Sequence, residues 1–478
     1  MPLTRRLQVS TPGDPALVQG LAEVRREMHL DDAFPDDVEA EAHAAAANVK
    51  LPDLDHTDIP FITIDPAGSM DLDQAMYVER AGDGHRVYYA IADVASFVTP
   101  GGAIDREAHR RGETLYGIGH TIPLHPRTLS EGAASLLPDQ LRPALLWTID
   151  LDATGEGTHV SVERARVKSR QRCDYTSVQA EIDAGHADPM WAVLKEIGER
   201  RKARAQRLGA ISLPLPEQEA TQRDGHWTLA YRARHPVEDW NEQISLLTGM
   251  AAAHLMVQAG VGILRTLPEP DSTAITQLRE TAASLRLAWP EGRAYPAFID
   301  ALDPADPAQV AMLVACTRVL RGAGYTSFHG ATPAQPMQSA LAAEYTHATA
   351  PLRRLIDRYA GEVCVAICAG KPVPEWVLGK LDALPEIMHG ADRTASQFEH
   401  ATTDLLEAVV LVQRAGDTFP AIVTSRDGHD PRAGNVMIKD PAIETRIEAG
   451  HELPLGQRVN VKLVEADPAK RRIRFQLA

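Results

Sequence analysis

At 478 residues the chain is too long for one ordinary core, so two or three domains are expected. Hydrophobic residues at 44% and charged residues at 24% exclude a disordered or fibrous chain. A net charge of −16 argues against a uniformly basic nucleic-acid binder, because affinity for phosphate chains rests on Lys and Arg.

Leu17, Leu21, Val24 and Met28 recur at helical spacing and predict a helix over 14–30. The sixty residues before Phe61 are acidic, with Asp31, Asp32, Asp36, Asp37, Glu39 and Glu41. Pro35-Asp36-Asp37 reads as the start of a second, Ala-rich helix that runs to about Val49. The first six residues carry no apolar segment, so no signal peptide is expected. Strands are expected at 61–64, 75–78, 87–94 and 145–151, with turns at 81–84 and 154–157. From about 174 to 412 the pattern is mostly helical. The apolar run 246–264 contains His254 and Gln258 and has a basic anchor, Arg265, at one end only; a buried helix is expected there and no membrane span. Short strands at 419–425, 436–439, 458–464 and 472–477, separated by Gly and Pro turns, predict a small closed barrel of OB type. Strands first and helices after give an α+β fold.

Cys173, Cys316, Cys364 and Cys368 form no CxxC pair, which fits reduced core thiols and a cytoplasmic location. Basic clusters at 164–172, 200–207, Arg353 with Arg354 and Arg358, and 470–474 stand against the overall acidity. Either they are solvated helix faces or they line a channel for one strand inside an acidic shell.

The segment 62–75, Ile-Thr-Ile-Asp-Pro-Ala-Gly-Ser-Met-Asp-Leu-Asp-Gln-Ala, is the most informative. Asp65, Asp71 and Asp73 lie within nine residues after an apolar strand, and a Pro-Ala-Gly-Ser bend can fold them together. Convergent carboxylates repel unless a hard cation neutralises them, and Mg²⁺ takes such oxygens. A turn-capping cluster is the bland alternative. The spacing is wrong for an EF-hand loop, and a phosphatase loop would need Thr or Val at Ala75.

This segment resembles the catalytic signature of the ribonuclease II/ribonuclease R family, shared with the exosome's hydrolytic subunit. The resemblance continues through Tyr89-Ala-Ile-Ala-Asp93-Val, Ile122-Pro-Leu-His-Pro-Arg127-Thr-Leu-Ser130 and Tyr345-Thr-His-Ala-Thr-Ala-Pro351-Leu-Arg353-Arg354-Leu-Ile-Asp357, in family order over roughly 60–410. It implies that Asp65, Asp71 and Asp73 match the first three catalytic aspartates, with Asp71 and Asp73 acting in catalysis. It also implies that Gln74 takes the place of a fourth aspartate among the ligands of Mg²⁺, for which Mn²⁺ could substitute. Arg353 matches the catalytic arginine, Tyr116 a base-stacking tyrosine, and Glu399 a glutamate near the site; with Arg354 these would contact RNA. The second stacking aromatic falls near Val261, which cannot stack. His329 and His347 read as structural, since a metal-bound hydroxide needs no histidine.

The expected organisation is a helical element over 1–58, with helix-turn-helix one reading of it, a catalytic domain over 59–412, and an OB-fold RNA-binding domain over 413–478. Two cold-shock barrels, which precede the catalytic domain in family members, do not fit before Phe61. The reading that follows is a metal-dependent hydrolytic 3′→5′ exoribonuclease, monomeric, acting processively on single-stranded RNA, releasing nucleoside 5′-monophosphates, and needing no membrane. An RNA-binding protein with a weakened nuclease centre is the alternative, motivated by Gln74, the missing aromatic and the acidity. A metal phosphatase for small molecules is a third reading, and it would not need the barrel.

Overall fold

The computed structural model describes residues 5–6, 15–186, 188–223 and 226–478. Helix α1 (Pro15–Glu27) buries the stripe Leu17, Leu21 and Val24. Helix α2 (Asp36–Asn48) carries Asp36, Asp37 and Glu39 in its first turn, where carboxylates complement the helix dipole. Five strands follow around a central insertion. They are β1 (Phe61–Asp65), β2 (Gln74–Ala81) and β3 (Gly84–Ala92). The insertion holds α3 (Ala103–Arg111) and a ribbon of β4 (Leu115–Gly117) with β5 (His120–Ile122). Then come β6 (Leu141–Leu151) and β7 (Gly157–Asp174). These close a barrel in the order β1-β2-β3-β6-β7, with β1 parallel to β7. Strand β7 is rich in Arg, yet Ala165, Val167 and Ser169 alternate inward and seal the barrel.

Helix α4 (Pro236–Ala259) starts with Pro at its first position and a reciprocal His235/Glu238 cap. The apolar run expected as one helix divides at Gly260, whose φ of 70° ends α4 in the left-handed region. The remainder is strand β8 (Val261–Thr266), paired antiparallel with β9 (Gly324–His329). No helix among the described residues is long and apolar enough to cross a membrane. The stretch expected to be mostly helical also holds a hairpin, Glu217–Arg223 with His226–Arg232, which Arg5–Arg6 joins in parallel. Helices α5 (Leu355–Cys368) and α6 (Leu384–Leu411) complete this part.

Strands β10 (Thr418–Arg426), β11 (Ala433–Ile438), β12 (Ile443–Glu448), β13 (Arg458–Asp467) and β14 (Arg472–Leu477) close a second, OB-like barrel in the order β10-β11-β12-β14-β13.

The two N-terminal helices pack apart, α1 on α6 and α2 on α3, so the described structure does not assemble them as a helix-turn-helix pair. Helix α1 approaches α6 so closely that a Cβ on Gly20 would lie 2.6 Å from Leu405. Glu41 of α2 caps α3, accepting from the Ala103 N–H at 2.5 Å. Arg111 lies over the Phe34 ring, 3.8 Å from its centroid.

Candidate active site

The loop between β1 and β2 is held from within. Gly68, at φ 87°, makes the bend that a side chain would disfavour. Ser135 Oγ accepts from the Leu72 N–H at 3.0 Å and donates to the Met70 carbonyl at 2.6 Å. Leu72 is fully buried, which turns its neighbours Asp71 and Asp73 to the other side.

Asp73 is 5% exposed. Its Oδ1 accepts from the Leu352 N–H at 2.7 Å, and its Oδ2 lies 3.7 Å from Arg353 Nε. Burial pushes the Asp73 carboxyl well above the usual carboxylate range; Arg353 and the Leu352 N–H oppose this, and Asp71 reinforces it. Tyr116, on β4, donates to Asp71 Oδ2 at 3.4 Å while its side chain stays 45% exposed. Burial of the hydroxyl end keeps it protonated, although Arg353 beside it works the other way.

Strand β4 reaches this point because the chain just before it is laced to the arginine segment. Thr114 N donates to the Arg353 carbonyl at 2.8 Å and Leu355 N to the Gly112 carbonyl at 2.9 Å. Asp71, Asp73, Tyr116 and Arg353, far apart in sequence, are thus neighbours. Asp65 ends β1 opposite Asp174 of β7, within electrostatic reach of Tyr89. Glu399 lies on α6 beside Phe398, whose ring abuts Gly117 of β4.

Arg354 is occupied differently. Its guanidinium forks onto Asp357, Nε–Oδ2 2.8 Å and Nη2–Oδ1 2.9 Å, at the start of α5. Gln74 has both ends of its amide engaged by protein groups. Its Nε2 donates to the Thr349 carbonyl at 2.7 Å, and its Oε1 accepts from the Tyr89 hydroxyl, with Ser245 Oγ at 3.4 Å. His347, half-buried, meets the Tyr325 hydroxyl at 2.6 Å, and desolvation, with Arg354 nearby, holds its ring neutral. His329 is exposed at the end of β9.

The donor chemistry suits one hard cation. Mg²⁺ is commonly held by one or two carboxylates, with water and substrate phosphate completing its shell. Asp71 and Asp73 supply such a pair, and a cation there would relieve the buried charge of Asp73. Among the described residues, no group of three or more His, Cys, Asp or Glu side chains is placed to hold a metal ion.

Reading the sequence residue by residue did not reveal the groups that hold the acidic loop, Gln74 and the arginine segment. Ser135, Thr114, His125 and Ser245 act through hydrogen bonds to distant segments, and no local pattern marks them. Only His125 lay within a recognisable block.

The chain spans less than two thirds of the length of the curated relatives it matches. Escherichia coli ribonuclease R is 25% identical over 89% of this chain and 57% of its own length. Acidithiobacillus ferrooxidans ribonuclease R is 37% identical over a shorter region, 34% of this chain and 38% of that protein. Among solved structures, Mycoplasma genitalium RNase R in complex with ribose-methylated single-stranded RNA superposes with a TM-score of 0.85 at 20% identity, over 97% of this chain and 78% of that one. Yeast Ssd1, a pseudonuclease, superposes with a TM-score of 0.71 at 16% identity, over 95% of this chain and 59% of that one. The family model for the RNase II-type exonuclease C-terminal S1 domain matches residues 417–478, the second barrel. The RNB domain model matches residues 53–366, more than half of the chain and all of the segments that meet at Asp73, so the protein belongs to the RNB family.

Proposed function

We propose that this chain is a divalent-metal-dependent 3′→5′ exoribonuclease that degrades single-stranded RNA processively and releases nucleoside 5′-monophosphates. The meeting of Asp71, Asp73, Tyr116 and Arg353 at one point carries the reading. Relatives named ribonuclease R and exoribonuclease 2 support it.

Asp71 and Asp73 would hold Mg²⁺ or Mn²⁺, with Asp65 at the end of β1 adding negative charge nearby, and the cation when bound would supply an activated water and charge neutralisation at the scissile phosphate. Arg353 holds a phosphate oxygen through its guanidinium and offsets charge that grows there. Tyr116 offers its exposed ring face to the terminal base while its hydroxyl stays anchored on Asp71. Arg354 keeps Arg353 aimed by tying the start of α5. Glu399 closes the site from α6. The working division is a docked helical element over 1–58, the catalytic unit over 59–412 and a strand-binding barrel over 413–478. The enzyme acts as a cytoplasmic monomer.

The test is a 5′-labelled oligoribonucleotide incubated with purified protein and Mg²⁺ or Mn²⁺, with EDTA as control. A ladder that shortens from the 3′ end, with mononucleotide release, is expected. The engaged amide of Gln74 favours one rival, an RNA-binding protein with a silent centre. Retention of the oligonucleotide without cleavage in either metal would establish that rival.

A further inference from the structure

The residues Thr349 to Arg353 form a short irregular segment that must present Arg353 to the acidic loop. Each of its five residues has one backbone group held from outside. The Thr349 carbonyl takes the Gln74 amide at 2.7 Å, and the Ala350 N–H donates to Asp357 Oδ1 at 2.7 Å. The Pro351 carbonyl is hydrogen-bonded by the His125 ring. The Leu352 N–H donates to Asp73 at 2.7 Å, and the Arg353 carbonyl takes the Thr114 N–H at 2.8 Å. Two of these five clamps, Gln74 and Asp73, are adjacent residues at the end of the acidic loop. The loop and the arginine segment are therefore fixed to each other by consecutive side chains.

The orientation of the Gln74 amide is not arbitrary. A carbonyl oxygen can only accept, so the nitrogen must face Thr349 and the oxygen must face Tyr89 and Ser245. The Tyr89 hydroxyl is buried and stays protonated, so it is a permanent donor to that oxygen. Ser245 Oγ closes the triangle, 2.8 Å from the Tyr89 hydroxyl. Turning the amide oxygen toward a cation would break these contacts and leave a buried carbonyl and hydroxyl short of partners, which is costly away from water.

We infer that Gln74 is a positioning residue that locks Arg353 against the acidic loop, and that the site consequently takes a single divalent cation through its aspartates. The inference rests on the metal-dependent hydrolysis proposed above. A carboxylate at position 74 would keep the bond from Tyr89 but set an oxygen against the Thr349 carbonyl, so it would loosen Arg353 without gaining a cation.

The experiment uses the full chain and Mn²⁺ alone as probe. Bound Mn²⁺ is counted from the loss of the free-ion paramagnetic resonance signal, for wild type, Gln74→Glu and Gln74→Asp. Steady-state constants are measured in parallel on an oligoribonucleotide with saturating Mg²⁺. One Mn²⁺ per chain is expected in wild type, with the count and affinity not increased in either variant. For Gln74→Glu, kcat should fall about tenfold or more while KM stays nearly constant, because Arg353 is misaimed in the transition state and the strand is held elsewhere. Two Mn²⁺ in wild type, a second or tighter ion in a variant, or an unchanged kcat in Gln74→Glu would each overturn the inference and leave the nuclease reading standing. The wild-type count is decisive even if a variant fails to fold. No Mn²⁺ bound by wild type, with no cleavage, would overturn the inference and the nuclease reading together.

Discussion

Asp73→Asn removes one negative charge and keeps the acceptor for the Leu352 N–H, so the loop should stay in place. We expect hydrolysis to be abolished with RNA affinity nearly intact, as read by gel shift beside a cleavage assay; equal turnover in mutant and wild type would remove Asp73 from the chemistry. Tyr116→Ala loses a ring that is exposed for stacking. At about 1–3 kcal/mol per stacked base, affinity for a short oligonucleotide should fall roughly tenfold or more. Single-turnover cleavage at saturation should change much less. Glu113, beside Arg354, has its carboxyl raised from 4.5 to about 7, first by burial and then by Asp392. Between those values the folded chain holds a proton that the unfolded chain has released. Its contribution is therefore greatest below about 4.5 and is lost as pH rises through about 7. Urea midpoints across this range should fall with pH more steeply in wild type than in Glu113→Gln; parallel profiles would show that Glu113 does not titrate there. The nearness of Asp71 and Asp73 was legible from their spacing behind an apolar strand, and that Tyr116 and Arg353 belong beside them from the family resemblance; a grouping of Asp65 with the pair to hold a metal ion is not found among the described residues. The partner of Gln74 was not legible, because the Thr349 carbonyl is 275 residues away and any residue type would supply it.

At the scale of elements, the Glu41 cap shows how α2 is joined to the catalytic unit. Glu41→Ala should cost about 0.5–2 kcal/mol, the usual range for a lost helix cap, measured by chemical denaturation. Strands with apolar alternation, such as β1 and β3, could be read from the sequence. Strand β7 could not, because Arg164, Arg166, Arg170 and Arg172 thin its apolar pattern and only small or short side chains face inward. Strand β12 was missed because Ile443 and Ile447 alone of its six residues are buried. The end of α4 was marked by Gly260, yet the apolar run passes straight through it, so hydrophobicity alone favoured one longer helix.

Across the whole molecule, α1 ties α6, the hairpin and the second barrel together. Leu17 and Leu21 share a core with Leu405 and Leu406 of α6, the Trp227 hairpin and the interior of the second barrel. Glu27 pairs with Arg471 beside β14 at 2.6 Å. Leu17→Ala should therefore cost about 2–5 kcal/mol, as core truncations do. Hydrogen exchange should show faster opening in α6 and the second barrel as well as in α1; a loss confined to α1 would show that the shared core does not couple them. The α+β class and the OB-type barrel were legible from the order of the elements. This tie was not, since helical periodicity says which face of α1 is buried but not against what.

The same packing bears on how the chain is made. The apolar stripe of α1 is made before its partner Leu405, which lies 388 residues further along from Leu17. At about 5–20 residues per second, translation leaves that stripe without Leu405 for roughly 20–80 s. Throughout that interval the nascent chain displays a helix whose cover is only partly made, from residues such as Ile118 and Trp227, and which a holding chaperone could bind.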